Sequence, residues 1–137
     1  MRGTQAMKGI YTLLIKISRT TKAKIGSLGE ITFPKGTYAY VGSAQNSLEK
    51  RIARHKSKKK KIFWHIDYVL ALKCAKIITV LYKKAGKAEE CRIARKLSKT
   101  GTPVKNFGCS DCKCESHFFK IENHNKLSDW GFKYGEF

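Results

Sequence analysis

Near the C-terminus, the segment FGCSDCKCESHF sets Cys109, Cys112, Cys114 and His117 within nine residues. Thiolate and imidazole are the donors that tetrahedral zinc takes, and Cys-x-x-Cys is half of a common zinc site. Against a site made of these four alone, Cys-x-Cys is tight spacing and structural zinc ordinarily joins ligands from two separate knuckles; Cys112, Cys114 and His117 are the favoured subset. A disulfide and plain buried thiols are the alternatives. A second cue is Glu90. Turning KAEECRIARKLSK as a helix places Cys91, Ile93, Ala94 and Leu97 on one apolar stripe, with Glu90 near its middle and Glu89 on its flank. A carboxylate on a core face is costly unless it meets a cation, here a buried arginine or a divalent metal. In SLEKRIARHK the same rotation groups Leu48, Ile52 and His55, with Arg51 at the edge, so a guanidinium and an imidazole at i and i+4 point one way. Finally, Tyr11 in GIY and Tyr40 in YVG each stand beside a glycine in an apolar run, either as packing aromatics or as parts of a site.

The elements that must position these residues read as one α+β unit. GIYTLLIKI is alternating and β-branched, and TTKAKIG, GEITF and TYAYVG follow between turn signals, which predicts four short antiparallel strands before residue 43. Asn46 with Glu49 three residues on suggests a capping box opening the first helix. FWHIDYVLAL is expected as a second helix, with Asp67 capping or pairing with a lysine; AKIITVLYK is the clearest strand. KAEECRIARKLSK is a third helix ended by Gly101 and Pro103, and SHFFKIE is a last strand. The expectation is a single domain over 1–137, with a core at about 8–120 and a tail at 121–137.

Charge narrows the partners. Lys+Arg 29 against Asp+Glu 10 leaves a formal +19, which repels itself unless a polyanion shares the field. Lys50 to Lys61, KRIARHKSKKKK, carries eight Lys/Arg in twelve residues and no acid. Lys50, Arg54, Lys56, Lys58, Lys59, Lys60 and Lys61 are therefore the candidate contacts to a nucleic-acid backbone, an electrostatic footprint without sequence readout. No apolar run approaches the roughly 20 residues that span a bilayer, and MRGTQAM lacks the apolar core of a signal peptide. Five cysteines, an odd number, suit thiols or a metal better than a secreted disulfide framework. The expected location is cytoplasmic, with no membrane partner.

The ordered set of Gly9-Ile10-Tyr11, Tyr40-Val41-Gly42, Arg51-x-x-x-His55, His65 and Glu90 resembles the GIY-YIG nuclease superfamily, which includes intron-homing endonucleases and the incision subunit of bacterial excision repair. The likeness covers roughly residues 8–120. It is nearest to a small, largely archaeal, mostly uncharacterised branch marked by WHIDY, a Glu-Cys pair and SDCxCxSH, all present here. The resemblance implies metal-dependent phosphodiester hydrolysis on a small central antiparallel sheet flanked by about three helices. On that reading Glu90 holds one Mg²⁺ or Mn²⁺, Arg51 neutralises the phosphate, Tyr11 orients or deprotonates water, and Tyr40 and His55 complete the wall, with His65 on the next helix. A free tyrosine has a pKa of about 10, so Tyr11 as a base presupposes the metal and Arg51 to lower it.

Departures from the family pattern add further expectations. The 28 residues between the two tyrosines must form an inserted hairpin. The family's late asparagine would be matched by Asn106 or Ser110, and Asp111 and His117 offer themselves to the catalytic face instead. DNA is the expected substrate, in repair or processing of damaged or branched strands, with RNA open and a targeting protein or domain as a further partner. The alternative is a non-catalytic nucleic-acid-binding module that retains the fold and the basic face.

Overall fold

The computed structural model describes residues 7–109 and 112–137, so Ser110 and Asp111 lie outside the described residues. The β-branched run expected as the first strand forms β1 (Gly9–Ile17). It is followed by β2 (Thr21–Lys24), β3 (Glu30–Phe33) and β4 (Gly36–Ala44). Next come α1 (Leu48–Lys56), α2 (His65–Leu70), β5 (Ala75–Lys83) and α3 (Ala88–Thr100). The chain closes with β6 (Thr102–Pro103), β7 (Phe118–Ile121), α4 (Asn125–Asp129) and β8 (Lys133–Tyr134). The fold is α+β. One antiparallel sheet runs β6-β7-β4-β1-β5-β8, and β2 and β3 form a separate pair, the hairpin inserted between the two tyrosine motifs.

Strand alternation divides the core. From β1, Tyr11, Leu13, Ile15 and Ile17 face one side, where they meet Tyr38 and Tyr40 of β4, Leu48 and Ile52 of α1, and Ile66 and Val69 of α2. Ile10 and Leu14 face the other side and pack with Val41, Leu81, and Ile93, Ala94 and Leu97 of α3. The central strand is thus buried on both faces, which explains its nearly continuous apolar run. The expected tail belongs to the same body: Leu127 and Phe132 are buried in the second cluster, and β8 pairs with β5. The described residues accordingly hold four helices, the fourth being the short α4.

Two helix starts differ from expectation for local reasons. Ser47, not Asn46, caps α1, its hydroxyl accepting the Lys50 N–H at 3.1 Å, while Glu49 accepts the Met7 N–H. The second helix is only six residues long. Phe63 and Trp64 stay outside it because the Asp67 carboxylate accepts both of their N–H groups at 2.9 Å, turning the chain before the helix begins. Asp67 caps as expected, but its ion-pair partner is Arg54 rather than a lysine: two N–H groups reach the two carboxylate oxygens at 3.0 and 2.9 Å. No helix is long and apolar enough to cross a membrane among the described residues.

Candidate active site and metal cluster

Sheet register brings the two tyrosines together. Tyr11 is paired with Gly42 and Tyr40 with Leu13, so the phenols are diagonal neighbours on one face, with ring centroids 6.5 Å apart. Gly42 is required there, because a Cβ would lie 2.4 Å from both Cζ and Oη of Tyr11. The glycine of YVG therefore makes room for the tyrosine of GIY, a cross-strand relation invisible to either motif alone. The helix after Tyr40 returns His55 to the same place: its Nε2 is 2.7 Å from the Tyr11 hydroxyl, and its ring is almost wholly buried. His55 Nδ1 finds no partner among the described residues.

Arg51, one turn earlier, is held by an Nη1–H bond to the Ser43 carbonyl at 2.8 Å and by the Trp64 ring, 4.7 Å away. Arg54 approaches the same indole at 4.3 Å. His65 opens α2 and accepts the Gly108 N–H at Nδ1, 2.9 Å, which leaves its proton on Nε2. Gly108 has φ 71°, a left-handed conformation that glycine adopts without strain, and so aims its amide at His65. A cleft of about 530 Å³ is lined by Tyr11, Tyr40, Arg51, His65 and Glu90 together. Of the six candidate catalytic residues only His55 lies behind the wall, bonded to Tyr11. Phe63, 76% exposed, and Lys87 add to the lining, and no sequence cue pointed to either.

Burial governs the acid–base groups. It pushes Tyr11 above its ordinary pKa despite the opposing charge and hydrogen bond of Arg51, and pushes Tyr40 up as well. Arg51 does push the Tyr11 pKa downward, as expected, but burial outweighs it: as the protein stands, Tyr11 keeps its proton and acts as a hydrogen-bonding group. Burial also pushes His55 down to about 3, leaving it neutral beside the phenol, and lowers His65.

Within the chain, Glu90 bonds a histidine rather than the buried arginine considered for it. Its Oε2 is 2.8 Å from Nδ1 of His117, which arrives from the loop before β7. Burial would lower the His117 pKa, but the bond and charge of Glu90 outweigh it and hold it raised. Glu89, on the flank, instead bonds Lys83 and Arg92. The other ring nitrogen of His117 lies 3.4 Å from the Cys112 sulfur.

Around that nitrogen, ligand atoms of Cys91, Cys112, Cys114 and His117 all lie within 4.8 Å of one another, an arrangement that can hold a metal ion. Three of the four were the favoured subset in sequence. Cys91 was missed as a ligand, although its place beside Glu90 on the α3 stripe was the available signal; Cys109 is not among the four. Burial raises the Cys91 and Cys114 thiols, whereas hydrogen bonds from Cys114 and His117 overcome burial and lower Cys112.

The basic segment is partly occupied by the fold. Arg54 is committed to Asp67, the Lys60 ammonium donates to the carbonyls of His55 and Ser57, and Lys56 donates to the Phe137 carbonyl. Lys50, Lys58, Lys59 and Lys61 are exposed.

The class defined by these features is a small α+β domain with a tyrosine-, arginine- and carboxylate-lined cleft backed by a cysteine–histidine cluster. The chain belongs to the family described as domain of unknown function DUF123, whose model matches residues 10–132. No curated protein and no solved structure matches it.

Proposed function

We propose that the protein is a GIY-YIG-type, metal-dependent endonuclease that hydrolyses phosphodiester bonds in DNA, in repair or processing of damaged or branched strands. The observation that supports this reading is the convergence of Tyr11, Tyr40, Arg51, His65 and Glu90 on one cleft, drawn from two strands and three helices. A net charge of +19 supplies the attraction for the substrate.

The donor set in the cleft suits Mg²⁺ or Mn²⁺. Glu90 has one oxygen engaged by His117 and a second for a hard cation, and such ions commonly take one or two carboxylates plus water and phosphate oxygens. When bound, the ion offsets charge developing at phosphorus and lowers the pKa of water. Zinc belongs instead to the sulfur-rich cluster behind, because thiolates favour the softer ion.

The chain's own groups divide the remaining work. Arg51, restrained by Ser43 and Trp64, places a permanent positive charge against the scissile phosphate. Tyr11 orients the attacking water, and the neutral His55 ring holds the phenol and shares its proton. His65 offers Nε2–H to an oxygen of the phosphate, since Gly108 already occupies Nδ1. Exposed Lys50, Lys58, Lys59 and Lys61 track the backbone beyond the cleft. The protein works in the cytoplasm, with a targeting protein or domain selecting the substrate.

The test is cleavage of an end-labelled panel of single-stranded, duplex, flap and four-way DNA, with RNA alongside, in Mg²⁺ or Mn²⁺. The parent is compared with Glu90→Gln and Arg51→Ala. Metal-dependent cutting by the parent and folded but inactive variants support the assignment; RNA cut in preference to DNA redirects the substrate. Salt-sensitive binding without any cleavage favours the binding-module alternative, and equal cutting by parent and variants rules out this cleft.

A further inference from the structure

The cysteine–histidine cluster joins two parts of the chain that are far apart in sequence. Cys91 stands in the first turns of α3, while Cys112, Cys114 and His117 come from the loop that leads into β7. Three sulfurs and one imidazole are a complete tetrahedral donor set for zinc, and the second origin in α3 supplies the separate knuckle that the loop alone lacked.

Distances agree with this use. Zn–S and Zn–N bonds of about 2.3 and 2.05 Å at tetrahedral angles separate sulfur from nitrogen by about 3.6 Å and two sulfurs by about 3.8 Å. Cys112 Sγ and His117 Nε2 are already 3.4 Å apart, and no pair in the set exceeds 4.8 Å. Closing the widest pair requires about an ångström of rotamer adjustment, given the same bond lengths. A disulfide between any two of the cysteines would strand the third thiol and leave the imidazole nitrogen without a use.

The remaining nitrogen of His117 decides what the site is for. Zinc-bound histidines characteristically donate their other N–H to a carboxylate, which fixes the ring and its tautomer. Here that carboxylate is Glu90, at 2.8 Å, and its side chain also lines the cleft.

We propose that Cys91, Cys112, Cys114 and the Nε2 of His117 bind one zinc ion, and that this zinc positions Glu90 in the cleft through His117. The zinc ligation stands independently of what the cleft does; the consequence for Glu90 rests on the nuclease reading. In this arrangement Glu90 Oε2 serves the zinc-bound histidine and Oε1 serves the cleft. The structural ion thus locks the start of α3 to the 112–117 segment and prevents the carboxylate from turning away. Binding requires the three thiols to release their protons.

The test uses the full-length protein purified under reducing conditions. Elemental analysis should find one zinc per chain, and replacement by cobalt should give the visible spectrum of a tetrahedral three-thiolate site. Cys91→His should retain the metal but lose roughly a third of the thiolate-to-cobalt charge-transfer intensity, because one of three sulfurs is gone. Cys74→Ser, outside the cluster, should leave both readouts unchanged. Glu90→Gln should keep the stoichiometry while weakening zinc by about 10–100-fold in competition with a chromophoric chelator, the usual effect of losing an outer hydrogen-bond partner.

The ligand assignment is overturned by a parent that holds no zinc and gives no thiolate spectrum on cobalt titration, or by Cys91→His with undiminished charge transfer. Unchanged zinc affinity in Glu90→Gln overturns the positioning link. Zinc bound as described in a protein that cuts none of the panel removes the nuclease reading and leaves the zinc site intact.

Discussion

Asp67 has a fully buried carboxylate that accepts four hydrogen bonds: two from Arg54 and one each from the N–H groups of Phe63 and Trp64. Asp67→Ala removes all four and leaves a guanidinium facing an apolar gap. Breaking one side of a buried ion pair costs about 3–5 kcal/mol, and the lower end applies because the Arg54 side chain is 29% exposed and can turn to water. For a chain of 137 residues, an unfolding entropy of about 2.1 cal/mol/K per residue converts about 3 kcal/mol into a fall in Tm of about 10 °C. Asp67→Asn should be milder, since its oxygen can keep the three bonds now made by Oδ2 and only the Oδ1 bond to Arg54 is lost. Denaturant unfolding followed by Trp64 fluorescence should show the midpoint moving at constant m. A double-mutant cycle with Arg54→Ala should return a coupling of more than about 1 kcal/mol, above the range of exposed pairs. Because Trp64 also supports Arg51, nucleic-acid affinity should fall in Asp67→Ala as well. An Asp67→Ala cost below about 1 kcal/mol, or no coupling, refutes the reading of this pair as a buried brace for the cleft wall.

Tyr11→Phe should abolish cleavage while the protein stays folded, at a cost of about 1–3 kcal/mol for leaving His55 Nε2 unpartnered, measured by denaturation beside the cleavage panel. Gly42→Ala should destabilise by about 1–3 kcal/mol and reduce activity, because its new methyl occupies the place of the Tyr11 hydroxyl; unperturbed Tyr11 resonances in an NMR spectrum would contradict this. Charge-neutralising Lys58, Lys59 and Lys61 together to glutamine should reduce the slope of log affinity against log salt by up to about 2.7 for duplex DNA, with the turnover rate at saturation unchanged. His55 supplies an acid-sensitivity test. Its folded pKa, about 3, lies below the unfolded value of ~6.5, so the unfolded chain takes up the proton first. Its contribution to stability is therefore intact above pH ~6.5 and falls by up to about 1.4 kcal/mol per pH unit down to about 3; His55→Gln should flatten stability over that window.

Much of the site was legible because its signals are local and periodic. Helical rotation alone placed Leu48, Ile52 and His55 on one buried face and Arg51 at its edge. The same rule placed Glu90 on the α3 stripe, and strand patterning recovered β5 at its observed bounds. Less was legible where two local options compete over one or two residues. Ser47 and Asn46 are both good caps, and only the position of the hydroxyl relative to the Lys50 N–H chooses between them. The second helix was overestimated because the length and periodicity of FWHIDYVLAL favour a helix from its first residue, while the carboxylate at position 67 draws two N–H groups out of the helix.

By itself, the amino-acid sequence determined the α+β class, the basic field and the residue types available for chemistry, because each follows from composition or from a period of two or 3.6. Tertiary structure decided which of these meet. Register set Gly42 beneath Tyr11, sheet order carried the loop before β7 back to α3, and that return brought Cys91 and Glu90 to His117. It also withdrew Arg54 into a brace with Asp67, thirteen residues away, and so separated a structural arginine from the lysines that remain exposed. Periodicity reports which face a side chain is on; only the long-range packing of the sheet reports what stands opposite that face.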